Sequence, residues 1–206
     1  MMKIFSSHHL LQSELKSLPL MNHGWFDRVL YKLFKNIDVE YTLSIPTSTY
    51  LRAEAFCDDV VEISELYFDQ RDLLSLLYDG FLHDVRKIDD VQQTYAFLTM
   101  AYDLYTRKTP VKISNLNNHP DKDRFPSFLM KNEEIYENYI SLSIKLTRKK
   151  ALRGEILLAD MDELFPDHPF TLEKILQILL CDFIEEYKKG NHKNVMKEII
   201  KNLQES

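Results

Sequence analysis

Glycine is scarce in this 206-residue chain, which contains four glycines where an average composition of roughly 7% would give about fourteen. This scarcity argues against sites built on glycine-rich phosphate-binding loops. The chain also lacks a Gly-x-Ser-x-Gly elbow, a Walker lysine motif and a Cys-x-x-Cys pair, which are signatures of nucleophilic, nucleotide and zinc sites. We therefore predict no cofactor, and the absence of these motifs favours a protein that is not an enzyme.

Cysteines and long apolar runs are equally few. Cys57 and Cys181 are the only cysteines and each lies in an apolar stretch, so we expect both to be reduced core residues. No window approaches the roughly 18–20 apolar residues of a membrane span. Residues 1–20 also lack the apolar run of a signal peptide. These features predict a cytoplasmic protein that does not associate with membranes.

The residues that are present describe a folded α+β protein. Apolar residues make up 45% of the chain and aromatic residues 12%, which is enough to bury a core. Polar and apolar residues alternate over Val39–Ile45 and Ile140–Leu146, the period of half-buried strands. We predict two antiparallel strand patches, at about residues 39–67 and 138–159, each formed by a local hairpin. Whether they join one sheet is left open.

Helical spacing of apolar residues predicts the remaining elements. Two helices precede the first strand, one from Leu10 to Pro19 and one over residues 25–37. Asp69 is predicted to cap a helix that continues to Ile88, and Asp89 or Asp90 begins the next, giving an antiparallel helical hairpin. A C-terminal helical pair follows, over residues 172–187 and 195–203.

Residues 114–126 contain three Asn, two Asp and two Pro, a composition typical of a loop. They divide the chain into an N-terminal part of helix, hairpin and helical hairpin at 1–113 and a part with a hairpin and C-terminal helices at 127–206. Length favours one compact domain overall.

Charge is distributed unevenly along the chain, although its net value is only −6. Residues 52–103 carry twelve acidic and four basic groups, a net charge of −8. Aromatic residues among these acids suit a surface that docks a basic partner. We therefore expect an interaction protein (a regulator, inhibitor or immunity-type module) that binds a basic protein surface through acidic and aromatic residues: Asp58, Asp59, Glu62, Glu65, Tyr67, Asp69 and Asp72.

A basic segment offers an alternative function. Five cationic residues occur within nine positions around a predicted hairpin turn: Lys145, Arg148, Lys149, Lys150 and Arg153. Cations beside an aromatic residue on a strand can hold single-stranded nucleic acid. The same residues could instead dock an acidic protein surface or be solvated at the turn.

A second alternative is a metal-dependent hydrolase. The six residues Leu82–Lys87 contain His83 followed by Asp84 within a predicted helix. They resemble the His-Asp core of HD-type metal-dependent phosphohydrolases, a resemblance that would make these two residues metal ligands. The pattern departs from the family because no histidine lies between Gly24 and Leu82, where an upstream ligand is needed.

Overall fold

The structure is a computed structural model that describes residues 3–17, 38–106, 138–190 and 194–205. Within these ranges it contains seven helices and a two-stranded antiparallel sheet, which confirms the predicted α+β class. The elements in chain order are α1 (Leu10–Ser17), β1 (Asp38–Pro46), α2 (Thr47–Ser64), α3 (Gln70–Ile88), α4 (Val91–Thr106), β2 (Tyr139–Thr147), α5 (Arg148–Leu164), α6 (Leu172–Lys188) and α7 (Val195–Glu205).

The two predicted strands pair with each other, although about a hundred residues separate them in the sequence. The register runs from Asp38 opposite Thr147 to Pro46 opposite Tyr139. Alternate residues of both strands are buried, as expected when one face of a sheet packs on a core and the other faces water. The buried set is Tyr41, Leu43, Ile45, Leu142, Ile144 and Leu146.

Helix α6 lies at the centre of the fold. It contacts β1 and also α2, α3, α4 and α5, and nine of its 17 residues are buried. Ile175, Leu176 and Ile184 are completely inaccessible to solvent, and each such side chain contributes roughly 1.5–3 kcal/mol by burial. The core therefore forms around this helix rather than around the sheet.

The first strand patch is shorter than predicted. Residues 47–64 form α2, so the second strand predicted for the local hairpin is absent from this segment. The short alternation at Leu51, Ala53 and Ala55 is also compatible with a helix, and the buried residues Ala53, Phe56 and Val60 recur every three or four positions. Strand β1 thus ends at Pro46, and α2 follows it directly.

The second patch is corrected in the same way. Residues 148–164 form α5, so the predicted hairpin turn at Lys149 and Lys150 is the first turn of a helix. The Thr147 side chain caps this helix by accepting a hydrogen bond from the Lys150 amide at 3.4 Å. Each of the two strands therefore pairs with the other and not with a local hairpin partner.

The other helices agree well with the sequence analysis. Asp69 caps α3, α4 begins after Asp90, and α6 and α7 form the predicted C-terminal pair. Gly190, after α6, has a φ of 79°, which glycine adopts without strain. Helices α3 and α4 follow each other as predicted, but each packs more on α6 than on the other.

Two predicted elements cannot be compared with the structure. The helix over residues 25–37 and the loop at 114–126 lie outside the described residues. Among the helices that are described, none has the length and apolar character needed to cross a bilayer.

Candidate interaction surface

Helix α2 places four of the predicted partner-binding acids on or beside its outer face. Its inward side is apolar, and the spacing that buries Phe56 and Val60 turns Asp58, Asp59 and Glu62 outward. Glu65 follows the last turn with a φ of 58° and is also exposed. We call these four carboxylates the acidic face.

The acidic face is not neutralised by the rest of the described structure. No ion pair among the described residues includes Asp58, Asp59, Glu62 or Glu65. Glu54, which the sequence analysis did not include, is exposed one turn earlier on the same helix and is also outside these ion pairs. Its four-residue spacing from Asp58 would have identified it once this segment was recognised as a helix.

Exposed apolar side chains accompany these carboxylates at the end of α2 and in the segment that follows. Ile63 is 62% exposed and Tyr67 is 79% exposed, while Leu66 is 37% exposed. Large side chains contribute binding free energy when a partner covers them. The end of α2 therefore combines uncompensated negative charge with apolar contact area.

Asp69 and Asp72 are engaged in the start of α3. The Asp69 carboxylate accepts hydrogen bonds from the Arg71 and Asp72 amides at 2.8 and 3.1 Å. Asp72 in turn accepts a hydrogen bond from the Asp69 amide at 3.1 Å, which completes a capping box. These two carboxylates therefore stabilise the N-terminus of α3, whether or not they also contact a partner.

Tyr67 joins the same network, since its hydroxyl donates to Asp69 Oδ2 at 2.9 Å. Burial acts to raise the pKa of Asp69, but the amide and tyrosine hydrogen bonds outweigh it and lower that pKa. The hydrogen bond to Asp69 raises the pKa of Tyr67. The tyrosine ring is therefore held at the surface in a fixed position by its hydroxyl.

The basic segment does not form the predicted hairpin, and part of its charge is used within the fold. Arg148 Nε lies 3.2 Å from Glu14 Oε1, and Lys150 Nζ lies 2.7 Å from Asp79 Oδ2. The second pair joins the basic segment to the acidic one, so the two segments cancel in part.

The remaining cations of this segment are spread over two elements. Lys145 is exposed on β2 opposite Glu40 of β1. Lys149 and Arg153 are exposed on α5. The structure therefore does not gather the five cations into one uncompensated patch.

His83 and Asp84 lie together on the outer side of α3. Their side chains are 69% and 70% exposed, with His83 Nδ1 3.4 Å from Asp84 Oδ1. Within the described part of the chain, no group of three or more His, Cys, Asp or Glu side chains is arranged to hold a metal. A hydrolytic metal site needs three protein ligands or more, and the described structure brings no third ligand to this pair.

A groove beside the acidic face was not predicted from the sequence. It has a volume of about 580 Å³ and lies where α2 meets the end of α6 and the first turn of α7. Phe56 and Tyr187 lie in its apolar part, and Asp59 lines it from the acidic face. Nothing in the sequence marks it, because it depends on how three separate helices pack.

Comparison with protein-family models, with curated proteins and with solved structures found no match for this chain.

Proposed function

We propose that this chain is a non-enzymatic interaction protein, a regulator, inhibitor or immunity-type module, which binds a basic protein surface through the acidic face. One observation carries the proposal. Glu54, Asp58 and Glu62 follow one another at four-residue intervals along α2, and none of them is ion-paired within the described structure.

This arrangement is unfavourable for the isolated helix. Like charges four residues apart destabilise a helix by about 0.2–0.5 kcal/mol per pair. Acidic side chains near a helix C-terminus also oppose the helix macrodipole, and Glu62 lies in the last turn of α2. A cationic partner would relieve both effects, because its charges would replace repulsion between carboxylates with favourable ionic contacts.

The apolar residues beside the acids support a protein partner. Ile63, Leu66 and Tyr67 offer contact area next to negative charge, which suits a surface containing both cationic and apolar side chains. Nucleic acid is disfavoured at this face because its phosphates would be repelled. Cys57 and Cys181 are buried and form no disulfide within the described structure, which supports a reducing, cytoplasmic setting as part of this proposal.

The test is affinity capture from nuclease-treated extract of the source cells, comparing the tagged chain with a double variant, Asp58→Lys and Asp59→Lys. We expect the variant to recover at least tenfold less of its main protein partner. The substitutions should leave α2 intact, because a lysine at position 58 replaces like-charge contacts with Glu54 and Glu62 by opposite-charge pairs four residues apart, and lysine has a higher helix propensity than aspartate. Circular dichroism should therefore show an unchanged or slightly higher melting temperature.

The pair Asp84→Lys and Glu163→Lys is the matched control, since it makes the same charge change at exposed positions on α3 and α5. It should recover as much partner as the unmodified chain. Equal recovery by the double variant and the unmodified chain would show that the acidic face does not bind the partner.

A further inference from the structure

The groove beside the acidic face is large enough to receive side chains of a partner and is partly apolar. Its volume of about 580 Å³ falls within the roughly 300–1,000 Å³ of ligand pockets in general. Ala55, Phe56, Tyr187 and Met196 supply an apolar lining. The Phe56 and Tyr187 rings meet edge to face with centroids 5.0 Å apart, so this lining is held in place by packing.

The α2 surface beside this groove already accepts an amphipathic helix. Helix α7 packs mainly on α2. It buries Ile199, and Val195, Ile200 and Leu203 are partly buried against the core. Met196, at the start of α7, borders the groove. The groove therefore lies directly beside the surface of α2 on which the apolar face of α7 packs.

Charges of both signs line the rim of the groove. Asp59 takes part in no ion pair within the described residues. Two cations also border the groove, but Lys188 is paired with Glu185 at 2.7 Å. The Arg52 guanidinium lies 3.4 Å from the Ser48 carbonyl oxygen, one turn back along α2.

The exposed charged residues along α2 near the groove are mostly acidic. They include Glu54, Asp58 and Glu62. An occupant that combines an apolar face with flanking lysines or arginines would complement both the lining and this charge.

We infer that the groove receives the apolar face of a basic amphipathic helix belonging to the partner, while the cationic side chains of that helix contact the acidic face. This inference rests on the proposed function and adds the secondary structure and the apolar anchors of the partner. It uses the helix-in-groove mode of recognition, in which apolar residues three and four positions apart enter one groove.

Synthetic peptides test the inference with the full chain. The first probe is a fluorescein-labelled 14-residue amphipathic helix of leucine and lysine. The second has every leucine replaced by glutamine and keeps the charge, and the third has every lysine replaced by glutamate. Fluorescence anisotropy should give the first probe at least tenfold tighter binding than the second, and no measurable binding for the third.

Ala55→Gln places a polar side chain over the apolar lining without changing charge. We expect it to weaken binding of the leucine–lysine probe at least fivefold. Ala96→Gln is the matched control, because Ala96 is exposed in α4, and it should have no effect. Both variants should give the circular dichroism spectrum of the unmodified chain.

The outcomes separate this inference from the proposed function. If both lysine peptides bind equally and the Asp58→Lys and Asp59→Lys substitutions abolish binding, the groove inference is wrong and the proposed function stands. If neither lysine peptide binds, or the glutamate peptide binds as tightly, the groove inference is rejected, and affinity capture with the Asp58→Lys and Asp59→Lys variant decides the proposed function. Self-association of the unliganded chain that Ala55→Gln removes would assign the groove to a second copy and overturn the inference.

Discussion

Glu155 shows how a single buried carboxylate can organise a chain terminus. It is 1% exposed within α5 and accepts hydrogen bonds from the Leu10 amide at 3.0 Å and the Leu11 amide at 2.6 Å. The Ser6 hydroxyl donates to the same carboxylate. Glu155 therefore caps α1 from a distant part of the sequence, satisfying amides that the helix cannot satisfy itself.

Glu155→Ala should consequently destabilise the protein strongly. The substitution leaves the buried Leu10 amide and the partly buried Leu11 amide without acceptors and opens a cavity, and we expect a loss of about 2–4 kcal/mol in the free energy of unfolding. Urea denaturation measures this loss. Glu163→Ala, at an exposed position of the same helix, should change stability by less than about 0.5 kcal/mol. Equal small effects would contradict a capping role for Glu155.

His168 is a second buried residue with a defined structural task. Its Nε2 lies 3.1 Å from the Leu158 carbonyl oxygen, and its Nδ1 accepts a hydrogen bond from the Phe170 amide at 3.1 Å. The ring is thereby held neutral, with its proton on Nε2. Burial lowers the pKa of His168, a shift that the hydrogen bond to Leu158 opposes.

The lowered pKa of His168 predicts a pH dependence of stability. Above the ordinary histidine pKa of about 6.5, the ring is neutral in both the folded and the unfolded chain, and its full contribution is present. As the pH falls below this value, the unfolded chain binds the proton first, so the free energy of unfolding decreases until the folded-state pKa is passed. His168→Gln should remove this part of the pH dependence, which begins as the pH falls below about 6.5.

The measurement is chemical denaturation at several pH values for the unmodified chain and for His168→Gln. His83→Gln, at an exposed histidine, is the control and should keep the pH dependence of the unmodified chain. A slope that persists in His168→Gln would show that other groups cause it.

At the scale of elements, the contact between helices α3, α5 and α6 depends on the absence of a side chain at Gly154. Tyr78 of α3 donates from its hydroxyl to the Lys150 carbonyl oxygen at 3.1 Å and passes directly over Gly154 of α5. A Cβ atom built at Gly154 would collide with the Tyr78 hydroxyl and lie 2.7 Å from Leu172 Cδ1 of α6. Gly154 is therefore required for the close approach of these helices, not for an unusual backbone angle.

The two helical glycines should respond to alanine in opposite directions. Gly154→Ala should lower the free energy of unfolding by about 1–3 kcal/mol because it overpacks this contact. Gly80 has no neighbour within 4 Å of a built Cβ, so Gly80→Ala should raise that free energy by about 0.5–1 kcal/mol through helix propensity. Thermal or urea denaturation of both variants compares them, and a stabilising Gly154→Ala would contradict the described packing.

Local sequence signals predicted elements well where one period dominated. The alternation in Val39–Ile45 and Ile140–Leu146 identified both strands, and the cap at Asp69 fixed the start of α3. Prediction failed at residues 50–67 and 148–159, where segments following a strand were assigned to hairpins. In both places the strand finds its partner about a hundred residues away, and local periodicity contains no information about such pairing.

At the scale of the whole molecule, the structure shows which charged residues are engaged within the fold, whereas the sequence shows only how many there are. The excess of acids in residues 52–103 was visible from composition, but it could not show that Asp79 pairs with Lys150 or that Asp69 and Asp72 cap α3. The four carboxylates of the acidic face, by contrast, take part in no ion pair within the described structure. The groove beside that face could not be predicted, because it depends on the relative positions of α2, α6 and α7.

The central claim is that the acidic face contacts a basic protein surface, and zero-length carboxyl–amine cross-linking of the purified complex measures this contact most directly. Peptide mass spectrometry of the cross-linked complex then identifies the joined residues. The account predicts partner lysines coupled to Asp58, Asp59, Glu62 or Glu65. Coupling confined to carboxylates elsewhere, such as Asp84 or Glu163, would contradict it.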